Sequence, residues 1–118
     1  MSARLFGVDL LDDAVAEFEH EAIYYWRRGG PALRDAFLDE VARVARRIVD
    51  SPRLFPEWPG KPGVRRALLK RYPFAIGFVV GATSDEPPLI VAIAHAKRSP
   101  GYWLARAPSQ RPKRKRPR

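Results

Sequence analysis

Four prolines within twelve residues, Ser51-Pro-Arg-Leu-Phe-Pro-Glu-Trp-Pro-Gly-Lys-Pro62, divide this chain into two halves with different hydrophobic periods. Proline lacks the N–H that a helix interior and a central strand both need, so the stretch must be a crossing segment. Leu54, Phe55 and Trp58 are its natural anchors.

Before the prolines the period is helical. Leu11, Val15, Phe18, Ala22 and Tyr25 recur at steps of four and three, and Leu33, Phe37, Val41, Val44 and Ile48 repeat the stripe as far as about Asp50. Between the stripes lies Arg27-Arg28-Gly29-Gly30-Pro31, in which basic residues and glycine end one helix and proline suits the first position of the next. The spacing predicts a helical hairpin. A short edge strand over Leu5 to Val8 precedes it, with Asp9 as N-cap, a helix start near Leu10, and Asp12 and Asp13 at the positive end of the dipole. Glu17, Glu19 and Glu21 read as a solvated face, and Tyr24, Tyr25 and Trp26 as a packed helix end.

After the prolines the period is two. Val64 to Lys70 is one strand, interrupted by Arg65, Arg66, Lys70 and the following Arg71 as an edge would permit. Phe74, Ile76, Phe78 and Val80 form one face of the next, with Ala75, Gly77 and Val79 opposite. The turn 81–88 leads to Leu89, Val91, Ile93 and His95 on one face and Ile90, Ala92, Ala94 and Ala96 on the other, an antiparallel hairpin. The order β-α-α-β-β-β gives an α+β domain, an antiparallel sheet with the helical hairpin packed on one face. At 118 residues one domain is expected over residues 1–105, followed by a basic disordered tail over 106–118. Gly77, Ala92 and Ala94 should line a shallow opposite face ringed by cations, the candidate functional surface.

The net charge of +9 is unevenly spread. The tail from Arg106 carries seven Lys/Arg and no acid, residues 1–50 hold 7 basic and 10 acidic groups, and residues 51–105 hold 8 and 3. The tail would attract any polyanion through salt-sensitive contacts, and a solvated, solubilising tail fits it equally well. Without cysteine there is no disulfide, thiolate nucleophile or Cys-ligated zinc, and His20 and His95 lack ligand spacing, so neither metal nor cofactor is expected. No apolar run of about 18 residues exists and the first residues are too short and polar for a signal, which points to a cytoplasmic protein with no membrane partner.

Polar chemistry gathers in His95-Ala-Lys-Arg-Ser-Pro-Gly-Tyr-Trp103, where the last strand stops. As a binding surface, Arg65, Arg66, Lys70, Arg71, Lys97, Arg98 and Trp103 offer cations and an aromatic anchor. As a metal-free ribonuclease site, His95, Arg98 and Tyr102 offer a base, a phosphate-stabilising cation and an acid. The residues alone leave both readings open, beside a third in which histidine and aromatics simply close the sheet.

Three segments in this order, "DAVAEFEHEAIYYWRRGGPALRDAFLDEVARVARRI", "GVRRALLKRYPFAIGFVV" and "IVAIAHAKRSPGYW", resemble the RelE/ParE superfamily of type II toxin-antitoxin toxins, and more closely its ParE-like, plasmid-stabilisation branch. The resemblance implies a growth-inhibiting toxin neutralised by a small antitoxin with an acidic toxin-binding segment, in a hetero-oligomeric complex. ParE-like members are associated with DNA gyrase, whereas RelE-like members cleave mRNA in the ribosome. The cleaving members tend to carry an arginine on the middle strand, another at the end of the last, and a tyrosine near the C-terminus. Arg98 and Tyr102 match the last two, and Ala75 falls where the first would stand. The resemblance therefore favours target binding, with a nucleic-acid-binding accessory role for the tail as a further alternative.

Overall fold

The computed structural model describes residues 2–81, 83, 85–96 and 101–108. Strands β1 (Ser2–Leu5) and β2 (Val8–Leu11) form a hairpin that leads directly into helix α1 (Asp12–Asp50). A short 3-10 turn (Pro52–Leu54) precedes β3 (Glu57–Trp58), β4 (Lys61–Leu68), β5 (Phe74–Val79), β6 (Leu89–His95) and the short helix α2 (Gly101–Leu104). The sheet order is β1-β2-β6-β5-β4-β3.

The α+β class holds, while the element order differs from expectation. The chain start contains two strands because Phe6 and Gly7 both take positive φ, 55° and 76°, as the central residues of a type I′ hairpin turn do. The helix accordingly begins at Asp12, capped by Leu11 without a side-chain bond. Asp9 is a buried β2 residue facing Arg4 at 3.5 Å. The sheet is mixed rather than antiparallel, since β6 inserts between β5 and β2 and pairs parallel to β2 through Asp9↔Leu89 and Leu10↔Ile90.

Helix α1 comprises two helical arms that meet directly at Gly29 and Gly30, whose backbone is not helical, with no separate loop between them. Gly30 has φ 71° and ψ −163°, a region open essentially to glycine alone. The break turns the chain back, for Phe18 and Phe37 stack with ring centroids 6.0 Å apart, whereas 19 residues of straight helix would separate them by about 28 Å. Phe37 also meets Tyr25, Tyr72 and Phe74, so one aromatic cluster fastens both arms of α1 to the sheet.

The second sheet face is covered as well. Trp103 of α2 is 2% exposed and lies over Gly77, where a Cβ would come within 2.6 Å of the indole. Val64, Val79, Leu89, Val91, Ala92, Ala94 and Ala107 complete this second cluster. The shallow open face expected around Gly77, Ala92 and Ala94 is thus an apolar seat filled by the chain's own tryptophan. A register shift at Gly77/Phe78, against Ala92 and Ile90 of β6, breaks the strict alternation of that strand. As a result Ile93 joins Ile90 in the core on the helix side, while Val91 and Ala92 both belong to the Trp103 side.

Of the expected anchors of the crossing segment, Phe55 packs edge-on to Phe78 and Trp58 edge-on to Trp103, but Leu54 is 85% exposed. Packing continues beyond residue 105, with Ala107 buried, and the rest of the tail from Ser109 lies outside the described residues. Among the described residues, no helix is long and apolar enough to cross a membrane.

Candidate functional site

Strand alternation divides the cations that the sequence groups together. The Arg65 side chain turns toward the crossing segment, where Nη1 donates to the carbonyls of Arg53 and Phe55 at 3.3 and 2.6 Å, and Nη2 stands 3.6 Å from Glu57. That guanidinium fastens the segment to β4. Arg66, one residue on, lies over the Trp58 ring at 5.1 Å, and Trp58 in turn meets Trp103. Arg66, Trp58 and Trp103 therefore form a layered cover over the second sheet face, with only its outer member charged.

Lys70 and Arg71 stand apart from these, exposed in the turn between β4 and β5. The turn is held from below: the backbone N–H of Lys70 donates to Glu40 Oε2 at 2.8 Å, and Arg43 pairs with the same carboxylate at 2.8 Å. Burial raises the Glu40 pKa, but the Lys70 N–H and then Arg43 outweigh it, so the group sits below its ordinary value. A depressed carboxylate contributes stability above the unfolded-state pKa that disappears as pH falls through the folded one. Glu40→Ala is therefore expected to cost about 1–2 kcal/mol at neutral pH. In denaturant titrations the charge-dependent part of its difference from the parent should begin to shrink as pH falls into the ordinary glutamate range, about 4.3, and disappear only below the lowered folded-state pKa.

His95 lies at the same end of the sheet, because Phe74 pairs with His95 and the Ala96 N–H donates to the Pro73 carbonyl. It is exposed, edge-on to the Phe74 ring at 5.5 Å, and lines a recess with His20, Glu17 and Glu21. The two histidines, distant in sequence, are thus brought to one recess, yet no group of three or more His, Cys, Asp or Glu among the described residues is placed to hold a metal. Lys97 and Arg98 lie outside the described residues, and Tyr102 lies in α2, with only its backbone described. Trp103 is a core residue, unavailable as a surface anchor. Of the candidate site, the structure gathers Lys70, Arg71 and His95 at one end of the sheet.

Sequence reasoning missed the pair that secures the C-terminal segment. Beyond Ile90, β6 has no strand partner on the β2 side among the described residues, and side chains meet its edge there. Glu17 Oε1 accepts from the Ile93 N–H at 3.1 Å and from Arg106 Nη1 at 3.2 Å, while Arg106 also donates to the Val91 carbonyl at 3.3 Å. Neither residue carries a local signal, since 89 positions separate them. The helix around the break also departs from expectation, for Ile23, Tyr24 and Trp26 before it are about half exposed, Leu33 after it is exposed as well, and of the three aromatics Tyr24, Tyr25 and Trp26 only Tyr25 packs inward.

With this geometry in hand, the fold has a solved counterpart. A chain of the structure described as the chromosomal ParDE TA system from P. aeruginosa superposes with a TM-score of 0.63 at 20% identity, covering 75% of this chain and 92% of that one. The fold is that of a ParDE-system chain. The likeness is one of fold, and Ala75 stands on a central strand of it, where it pairs with Leu68 and Ala94 and is buried. No family model matches the chain, and no curated relative matches it either.

Proposed function

We propose that this chain is the toxin of a type II toxin-antitoxin pair, ParE-like, which stops growth by binding a cellular target and is neutralised by a small antitoxin with an acidic segment. DNA gyrase is the favoured target. The observation that carries this reading is a ParE-like fold whose central strand β5, Phe-Ala-Ile-Gly-Phe-Val, contains no ionisable side chain, with Trp103 filling the face beside it. Phosphoryl chemistry without a metal needs cations fixed where negative charge develops. Buried Ala75 supplies none at the position where cleaving relatives tend to carry arginine.

The surface, in contrast, suits a protein partner. Ile23, Tyr24, Trp26 and Leu33 present exposed apolar area near the break in α1, and exposed apolar groups of this kind on a small domain mark interaction sites. Arg28 lies over the Tyr24 ring at 5.7 Å beside them. Lys70 and Arg71 add a cationic end to the sheet that complements an acidic segment.

Induced expression in bacteria, with and without the adjacent small open reading frame, tests the reading. Growth arrest relieved by the neighbour, with altered plasmid supercoiling or DNA breaks, is the expected result. Codon-phased mRNA cuts with intact DNA would instead assign a ribosome-dependent endonuclease using His95, Arg98 and Tyr102. Soluble protein that leaves growth untouched would remove the toxin reading altogether.

A further inference from the structure

An acidic cleft of about 750 Å³ opens between the end of α1 and the loop that joins β5 to β6. Its apolar wall includes Val49, Leu54 and Val80, and its rim carries Asp50, Asp85 and Glu86. Leu54, at 85% exposed, is the most solvent-open of the large exposed hydrophobics. Glu86 Oε2 is shut from solvent and receives no donor among the described residues, although buried polar atoms are as a rule hydrogen-bonded. One cation, Arg53, lines the cleft beside the three acids but is held by the Gly81 carbonyl at 3.2 Å, and neighbouring Arg47 lies over the Phe55 ring at 5.4 Å. Such a surface fits a segment that is cationic and carries compact apolar groups.

The chain contains such a segment, and its described part ends on the way to the cleft. Trp103 lies over Gly77, which pairs with Ala92; Arg106 reaches the Val91 carbonyl; and Ala107 belongs to the cluster that includes Leu89. The backbone thus runs back along β6 toward its first residue, adjacent to Pro87 and Pro88 of the cleft. From there Ser109 to Arg118 adds six Lys/Arg, two prolines and no acid. Ten residues span up to about 33–36 Å when extended, enough to round the sheet end and cross the cleft.

We propose that this cleft is the docking site of the chain's own basic C-terminal segment, residues 109–118, with its prolines against Leu54 and its cations on Asp50, Asp85 and Glu86. Exposed ion pairs are individually weak. A short tether, however, supplies an effective concentration on the order of millimolar, so contacts too weak to hold a free peptide suffice in cis. Asp12 and Asp13 at the start of α1 form another acidic surface, but they are exposed, and Arg106 already stands 3.8 Å from Asp13. Docking withholds the segment's cations from polyanions, and a nucleic acid competes for it. The proposal is independent of the toxin reading.

Because the chain has no cysteine, Arg118→Cys accepts a single nitroxide label on the full-length protein. At about 0.1 M salt, the methyl signals of Val49, Leu54 and Val80 should lose most of their intensity relative to the reduced label, while those of Leu11 and Ala14 beside Asp12 and Asp13 do not. Raising salt to about 1 M shortens the screening length from about 10 to about 3 Å and should restore them. Leu54→Ser, which leaves charge unchanged, and the Asp85→Lys, Glu86→Lys pair should each abolish the selective loss with the remaining spectrum preserved. Uniform or absent broadening, a stronger effect at Leu11 and Ala14, or insensitivity to both salt and substitutions overturns the proposal. So does broadening that appears only when labelled and isotope-enriched molecules are mixed, since the contact is then between chains.

Discussion

Trp103→Ala is expected to lower the free energy of unfolding by about 3–5 kcal/mol, the range for truncating a buried large aromatic. Small domains hold about 5–15 kcal/mol in total, so the variant will be barely folded at physiological temperature. The size of the effect follows from what the indole covers. Glycine at position 77 leaves a depression in the sheet that accommodates the ring, and Trp58 closes against it edge-on at 5.1 Å. Without the indole, the depression stays open, since the strand pairs Gly77↔Ala92 and Ala75↔Ala94 cannot collapse to fill it. The reciprocal change, Gly77→Ala, forces a Cβ to within 2.6 Å of the ring and should cost about 1–3 kcal/mol by displacing α2. Urea titrations of both variants, with a Trp58→Ala cycle returning a coupling of about 0.5–1.5 kcal/mol, check the account. A Trp103→Ala protein as stable as the parent would mean that α2 does not cover the sheet.

The same tryptophan shows why the second face was misread. Alternation over Phe74 to Val80 locates β5 correctly, and small residues at 75 and 77 look like an open surface when only neighbouring strands are considered. A signal against openness was nevertheless present, for Leu89 to Ala94 is apolar at every position, which suits a strand covered on both faces. What no periodicity could supply was the identity of the cover. Trp103 reaches Gly77 from 26 positions away through a segment that carries no helix pattern of its own. The extra β6 residue opposite Gly77/Phe78 is similarly silent, because a bulge alters which face Ile93 takes without altering the composition of the strand.

The helical half was more legible, since its stripe and its stop signal are local. Arg27-Arg28-Gly29-Gly30-Pro31 marks the reversal, and the structure realises it with two non-helical glycines inside one helical element. The β1-β2 hairpin was not legible, because its turn seats Phe6 at φ 55°, a conformation that phenylalanine seldom adopts, supported by its ring edge-on to Phe18 at 5.4 Å. For the candidate site the limit is different. Composition identified the cations of β4, but their separation depends on which side of the strand each occupies and on partners in the crossing segment.

That separation makes a sharp prediction at the end of the sheet. Lys70→Glu combined with Arg71→Glu is expected to weaken association with an acidic antitoxin segment by about tenfold to a hundredfold, or about 1.4–2.8 kcal/mol, mainly through a slower on-rate with a flatter salt dependence. The two side chains are exposed, the backbone N–H of Lys70 stays bonded to Glu40 in the variant, and the Lys70 ammonium adds only the smallest of the attractions on that carboxylate. Thermal unfolding should therefore change little, by about 0.5 kcal/mol as for ordinary surface positions. Arg65→Glu must behave in the opposite way. Its guanidinium holds the carbonyls of Arg53 and Phe55, so replacing it strands both acceptors beside a new anion, and stability falls whatever happens to binding. Stopped-flow association and calorimetric unfolding on the same variants separate the two outcomes. If the Lys70/Arg71 pair changes neither association nor growth arrest, the cationic end of the sheet is not the contact surface, and the exposed Ile23, Tyr24 and Trp26 face of α1 becomes the surface on which the partner reading depends.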